Sequence, residues 1–157
     1  MTERAIRDLL GDHEFFAGMA PEHLDLLAGC GRNEVFPAGT TVAREGDPAD
    51  LFHVLRAGRV AVAIHVPQRE PLVIATLGPG DVLGWSWLFA PYAWRFDAEA
   101  TQETHAIGLD GLCLRAKCEA DPALGYALMR RFAEILVRRL EATRLQLVDV
   151  YGNTNAG

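Results

Sequence analysis

The chain has 157 residues, 50% of them hydrophobic and 23% charged, and a formal net charge of −6 at pH 7. This length fits one domain with a full-sized core and leaves little room for a second. The negative charge and the lack of any Lys/Arg block argue against DNA or RNA as the main partner, because a basic face supplies most of the affinity for phosphates. A single well-placed arginine, helped by backbone N–H groups, could still hold a small anion.

The N-terminal segment is charged and amphipathic and lacks the apolar core of a signal peptide. No apolar run approaches the roughly 20 residues of a membrane span. The three cysteines, Cys30, Cys113 and Cys118, are odd in number and form no Cys-x-x-Cys motif. They are predicted to be structural thiols in a reducing compartment. We therefore expect a cytoplasmic protein without a membrane segment.

Two short helices are predicted at the start of the chain. Residues 3–10 carry their apolar side chains on one face, as an amphipathic helix does. The second helix begins at Ala20-Pro21, because proline fits the first helical turn. It ends at Gly29, a residue type that commonly terminates helices.

Between Glu34 and Asp110 short apolar runs alternate with turns rich in Gly, Pro and Asp. In the run 60–66 every second residue is Val or Ile, which is the period of a half-buried strand. Further strands are predicted at 41–43, 51–55 and 72–77. Many short strands at this spacing predict a β-sandwich or barrel.

A long helix is predicted from Asp121-Pro122, a good N-cap and first-turn pair, to about Asp149. Its apolar residues lie on more than one side, so a second surface must cover them. That surface is either the chain's own barrel or the same helix of a second copy, and the sequence leaves both open. Residues 152–157 are expected to be a disordered tail, which gives a single domain over 1–151.

Several motifs in a fixed order resemble the cyclic nucleotide-binding domain, specifically the sensor half of Crp/Fnr regulators. The resemblance covers about residues 6–149. It implies a mainly β fold with flanking helices: a double-stranded β-helix, or jelly-roll barrel, with N-terminal helices and a long C-terminal helix. The motifs that carry it are, in order, 15–22, 36–40, 44–50, 55–60, 77–84 and 119–122.

The resemblance also implies a ligand site. Members of the family hold the phosphate of a cyclic nucleotide such as cAMP or cGMP in a short cassette, with backbone N–H groups and one arginine. A glutamate beside the cassette glycine binds the ribose, and the long helix closes over the base. Here the cassette is residues 84–98, and Trp85 follows Gly84 where the family has glutamate. The ribose acceptor is missing, which costs on the order of 1–3 kcal/mol of binding.

The position of the phosphate arginine has two candidate registers. Counting forward from Gly84 gives Arg95, which is followed by Phe96 where the family often has a small hydroxyl residue. Counting back from the strand predicted at 98–104 gives Trp94 instead. The forward count is favoured. Thr143 falls where the family contacts the base, although a threonine there could simply bond its own helix. The predicted ligand-binding residues are Gly84, Trp85, Ser86, Arg95, Phe96 and Thr143.

The cassette contains all three tryptophans of the chain together with Phe89, Tyr92 and Phe96. Loops rarely expose so many aromatic side chains to solvent. Three interpretations remain open: a collapsed pocket filled by its own side chains, a pocket for a more apolar or planar ligand, or an exposed surface that docks another protein.

The sequence carries no catalytic motif and no His-x-His, so we expect neither an enzyme nor a metal site, and no resident cofactor. Only about eight residues follow Asp149, which would not accommodate a DNA-binding module. The prediction is a stand-alone regulatory or sensor domain. It would bind a small nucleotide-like ligand weakly or atypically and signal to an unknown protein partner, with a homodimer through the long C-terminal helix. The alternative is a ligand-blind interaction or structural module that kept the barrel.

Overall fold

The computed structural model describes the backbone of residues 3–156 and the side chains of residues 5–152. Within that part of the chain, four α-helices flank eight β-strands, and a 3₁₀ turn (Glu14–Phe16) follows the first helix. The elements are α1 (Glu3–Asp12), α2 (Pro21–Ala28), β1 (Gly31–Phe36), β2 (Thr41–Ala43), β3 (Leu51–Ala57), β4 (Val60–Ile64), β5 (Leu72–Leu77), β6 (Val82–Leu83), β7 (Asp97–Ala100), β8 (Thr104–Asp110), α3 (Gly111–Ala120) and α4 (Pro122–Ala156).

The strands form two four-stranded antiparallel sheets, in the orders β1-β8-β3-β6 and β2-β7-β4-β5. The chain crosses between the sheets repeatedly, at β1–β2, β2–β3, β3–β4, β5–β6, β6–β7 and β7–β8. Such crossings are typical of a jelly roll, in which strands that follow each other in sequence lie in opposite sheets. The predicted jelly-roll barrel with flanking helices is confirmed.

Strand β3 connects the two cores of the molecule, because its side chains alternate between the faces of its sheet. Phe52 and Val54 pack with the helices on the outer face of the first sheet. Leu55 packs into the second core, between the two sheets, together with residues such as Val62 of β4. Burial on both faces explains why this segment reads as a continuous apolar run.

Helix α4 begins where the sequence predicted. The Asp121 side chain accepts a hydrogen bond from the Leu124 backbone N–H at 3.3 Å. Leu128 and Phe132 are buried against the barrel, whereas from Leu136 onward most apolar side chains are exposed. The helical backbone continues to Ala156, through most of the segment predicted to be a disordered tail. The domain boundary at 151 and the disorder of 152–157 stay predictions.

The prediction that the cysteines are unpaired thiols is wrong for two of the three. Cys30, between α2 and β1, and Cys113, in the first turn of α3, form a disulfide with a Cα–Cα distance of 5.7 Å. Cys118 is the free thiol. The two bonded residues are 83 positions apart in sequence. Only the pairing of β1 with β8 brings them together, because the Asp110 N–H donates to the Cys30 carbonyl at 2.9 Å. The spacing of the two cysteines in the sequence does not indicate that they are close in space.

The disulfide should stabilise the fold measurably. We expect Cys113→Ser to lower the free energy of unfolding by about 2–4 kcal/mol, because a bridge over a long loop restricts the unfolded chain. Urea denaturation without reductant measures this change. Cys118→Ser is the matched control and should unfold like the wild type. Equal stability of Cys113→Ser and wild type under these conditions would contradict the bridge.

Candidate ligand site

The cassette connects β6 of the first sheet to β7 of the second, so it forms one end of the roll. It opens with Gly84, whose φ of +93° is a backbone conformation that residues with a β-carbon rarely adopt. A β-carbon at this position would also overlap the ring of Trp94. Glycine is therefore needed at position 84 for two reasons: it allows the positive φ of the turn, and it leaves room for the Trp94 indole.

Trp94 occupies the interior of the roll behind Gly84. Its ring is buried and belongs to the core between the two sheets. Its backbone is fixed by two hydrogen bonds to the loop after β2: the Trp94 N–H donates to the Asp47 carbonyl and the Gly46 N–H donates to the Trp94 carbonyl, both at 2.9 Å. The indole is therefore held in place from both its backbone and its ring.

A buried polar pair lies next to this indole. The His53 ring is nearly parallel to Trp94, with centroids 6.1 Å apart. His53 Nδ1 and Glu34 Oε1 are 2.7 Å apart, and both side chains are more than nine-tenths buried. Gly108 leaves the space that the Glu34 carboxylate needs, since a β-carbon there would overlap it. The pair borders a cavity of about 410 Å³ at the open end of the roll.

The structure places Trp94, and not Arg95, against Gly84. Arg95 is exposed to solvent, and Phe96 is half-buried with its ring centroid 5.5 Å from that of Trp94. Trp94 therefore faces the interior of the roll and Arg95 does not; which of the two corresponds to the family's arginine stays a prediction. A ligand-binding role for Arg95 or Phe96 stays a prediction.

Ser86 and Trp87 anchor the cassette to the helical side of the sheet. Ser86 is buried, and Trp87 is fully buried between Phe52 and Phe132. The Arg115 guanidinium of α3 donates a hydrogen bond to the Trp87 carbonyl. These contacts use Ser86 and Trp87 for packing. Phe89 and Tyr92 of the same cassette are exposed, so only its buried aromatic residues form a filled corner.

Trp85 lies under the long helix, in contact with a residue that the sequence analysis did not single out. The guanidinium of Arg139 is 4.7 Å from the centre of the Trp85 ring, a distance at which cation–π attraction operates. Arg139 Nη2 also donates to the Val82 carbonyl at 3.3 Å. Burial lowers the pKa of Arg139 from its ordinary value, and the charge of Asp81 raises it again in part. The group stays cationic, since arginine does not deprotonate in proteins.

Thr143, the predicted base contact, is exposed one helical turn beyond Arg139. Its hydroxyl donates to the Arg139 carbonyl at 2.9 Å, the local bond that threonines often make within helices. The structure therefore brings together Gly84, Trp85 and the missed Arg139, and leaves Arg95 and Thr143 on the surface. The four-residue spacing from Thr143 was the available signal for Arg139, because it puts both residues on one helix face.

The described residues show neither a metal-binding cluster nor a helix suited to cross a membrane. No group of three or more His, Cys, Asp or Glu side chains there is placed to hold a metal ion. None of the helices in that part of the chain combines the length and hydropathy needed to cross a bilayer.

The structure is a jelly-roll domain in which the cassette joins the two sheets. The long helix α4 contacts the cassette through Arg139 and Trp85. The sequence profile of the cyclic nucleotide-binding domain family matches residues 33–121. The chain belongs to that family.

Relatives place the chain near the Crp-like regulators. It is 27% identical over 143 residues to a CRP-like cAMP-activated global transcriptional regulator of Mycobacterium tuberculosis, which covers 91% of this chain and 62% of the regulator. The chain thus spans about three-fifths of that relative. It is also 37% identical over 84 residues to the acetyltransferase Pat of Mycolicibacterium smegmatis, covering 54% of this chain and 25% of that enzyme.

Solved structures show the same fold. A cyclic nucleotide-binding domain from Methylobacillus flagellatus superposes with a TM-score of 0.77 at 20% identity, covering 94% of this chain and 83% of that one.

The contact between Gly84 and Trp94 can be isolated by mutation. Gly84→Ala should destabilise the protein by about 1–2 kcal/mol for its positive φ and by about 1–3 kcal/mol more for the overlap with the indole. Gly39→Ala is the matched control, since Gly39 has a φ of +87° with open space around it and suffers only the first cost. Thermal or urea unfolding of both variants gives the difference. Equal losses in the two variants would show that Trp94 does not press on Gly84.

Proposed function

We propose that this chain is a regulatory sensor domain whose cyclic-nucleotide site is filled by its own side chains, so that cAMP and cGMP bind weakly. The observation that carries the proposal is the Trp94 ring packed onto Gly84, behind the cassette where the family's phosphate arginine would stand. Two further features support it: Trp85 replaces the ribose acceptor, and Arg95 points to solvent.

The energetic cost of opening the site sets the expected affinity. A nucleotide in the usual position must first move the Trp94 ring out of the core. A tryptophan buries about 150–250 Å², so its removal costs about 4–6 kcal/mol at 25 cal/mol per Å². Each 1.4 kcal/mol is tenfold in affinity. A ligand that would bind an open site at micromolar concentration would therefore bind here about a thousandfold to ten-thousandfold more weakly.

A calorimetric titration with cAMP and cGMP tests this directly. We expect the wild type to show no binding below about 1 mM, in line with a penalty of at least about a thousandfold. The double variant Trp85→Glu/Trp94→Arg supplies the missing acceptor and cation, and should bind at least tenfold more tightly than Trp85→Glu/Trp94→Gln, which lacks the cation. Micromolar binding by the wild type would contradict the filled site.

Output through protein contacts follows from the surface of helix α4. Leu136, Leu140 and Leu147 are all more than 40% exposed. With Thr143 they recur at alternating spacings of four and three residues, which is the seam of a two-stranded coiled coil. We propose that this seam pairs with the same helix of a second copy. Ligand-dependent movement of α4 would then change the dimer or the surface it offers to a protein partner.

Disruption of this seam should give a monomer. We expect Leu140→Arg/Leu147→Arg to sediment as a monomer at concentrations where the wild type is a dimer, because two unpaired charges would be buried in the interface. Glu141→Arg, on the flank of the seam, is the control and should leave the dimer intact. Sedimentation velocity distinguishes the species. A wild type that is monomeric at about 100 µM would refute the dimer.

The alternative function is a ligand-blind adaptor, favoured by the same filled corner. A response to any small ligand separates the two hypotheses, because an adaptor would bind its protein partner without one. Domains of this family generally act as regulatory units, and the acetyltransferase among the relatives matches over only a quarter of its length. We propose a regulatory, non-enzymatic role in the cytoplasm, with protein rather than nucleic acid as the main partner, in line with the net charge of −6.

A further inference from the structure

The half-buried guanidinium of Arg139 makes few direct contacts with the described side chains. Within the described side chains, no carboxylate lies within 4 Å of the Arg139 guanidinium. It contacts the Val82 carbonyl and the face of Trp85. A guanidinium has five N–H donors, so most of its hydrogen-bonding capacity is unused. A desolvated cation in this condition is a site for an anion.

Arg139 borders an open groove of about 910 Å³ between helix α4 and the turn that joins β5 to β6. Two more arginines of the same helix, Arg131 and Arg138, line this groove. Arg131 donates to the carbonyls of Ala127 and Ala17, which do not neutralise its charge. Arg138 makes no ion pair among the side chains that the structure describes. Three guanidinium groups therefore face one groove.

The carboxylates that line the groove have other contacts. Asp81 accepts a hydrogen bond from the Gly78 N–H at 2.9 Å. The Glu14 carboxylate lies where a β-carbon on Gly80 would be only 2.7 Å away. Glu134 is 4.0 Å from Arg130, on the outer side of its helix. Among the described side chains, none of the three lies within 4 Å of a groove arginine, although the charge of Asp81 acts on Arg139. The lining carries as many carboxylates as arginines, so the attraction for an anion rests on the unused N–H donors of Arg139.

We propose that this groove binds a small organic anion, a phosphate or carboxylate group on an aromatic or apolar body, with Arg139 as the anion-binding residue. The apolar body would lie on Phe15, Leu77 and Ile135, which line the same groove. The inference rests on the proposed sensor function and names its ligand class. Compared with the family's pattern, the cation for the ligand has moved from the cassette to the long helix.

Binding at this site would act on the helix directly. An anion competes with the Val82 carbonyl for the guanidinium, and it draws Arg139 away from the face of Trp85. Because Arg139 belongs to α4, its rearrangement shifts that helix relative to the β5–β6 turn. The same movement would change the fluorescence of Trp85, so tryptophan emission can be used to measure binding.

Matched pairs of probes test the proposal on the full chain: benzoate against benzyl alcohol, and AMP against adenosine. In each pair the ring is kept and the anionic group is removed. We expect both or one of the anions to change tryptophan fluorescence saturably and to raise Tm, while the neutral partners do neither. Response to AMP alone identifies a phosphate ligand, and response to benzoate alone identifies a carboxylate. Silence of both anions overturns the inference.

Three variants test whether Arg139 is the residue that binds the anion. Arg139→Gln should weaken anion binding at least tenfold, and Arg139→Lys should lie between it and the wild type, because lysine keeps the charge but not the planar fork. Arg69→Gln is the matched control and should bind as the wild type does, because Arg69 is exposed and does not line the groove. Equal affinity in Arg139→Gln and wild type overturns the assignment, provided that circular dichroism shows both to be folded.

The outcome is independent of the cyclic-nucleotide titration. Silence of the anions together with tight cAMP binding would refute this groove and the filled cassette separately. Anion binding that Arg139→Gln abolishes, with cAMP still silent, supports both.

Discussion

The contact between the Trp94 ring and Gly84 fixes how this barrel is used. Trp94 is held by two backbone hydrogen bonds to the loop after β2 and by its place in the core between the sheets. Gly84 allows the approach because it has neither a β-carbon nor a preference for negative φ. The indole is thereby part of the hydrophobic core. Under the proposed filled site, this packing would both stabilise the fold and oppose nucleotide entry.

The charged residues are placed in keeping with this packing. The indole of Trp94 fills the interior of the cassette, and Arg95 lies outside, exposed to solvent. Arg139 instead carries the half-buried positive charge, between Trp85 and the groove along α4. A ligand bound by Arg139 would act on α4 without a conformational change in the barrel. The same helix would then both bind the ligand and present the surface for a second copy or a protein partner.

The sequence predicted most of the fold because alternation and turn residues are local signals. The strand pattern at 60–66, the glycine-rich turns and the Asp121-Pro122 helix start all depend on a few neighbouring residues. Errors arose where the strand limits depend on pairing: β4 ends at Ile64, and the strand expected at 98–104 divides into the ends of β7 and β8.

The site was harder to predict, because side chains from distant parts of the chain meet there. A one-residue difference between two counts decided whether Arg95 or Trp94 faces the interior, and only the hydrogen bonds of Trp94 to residues 46 and 47 settle that position. Arg139 was missed because its partners, Trp85 and Val82, are more than fifty residues away. The Cys30–Cys113 pair was missed for the same reason.

That disulfide has a topological consequence. Strand β1 starts one residue after Cys30, and β8 ends three residues before Cys113. Every strand and the whole cassette therefore lie within one covalently closed ring, and α1, α2 and α4 are attached to it from outside. The chain enters and leaves this ring at the disulfide, and α4 is joined to it through the rest of α3. Unfolding of the terminal helices would therefore leave the connection between the strands covalently closed.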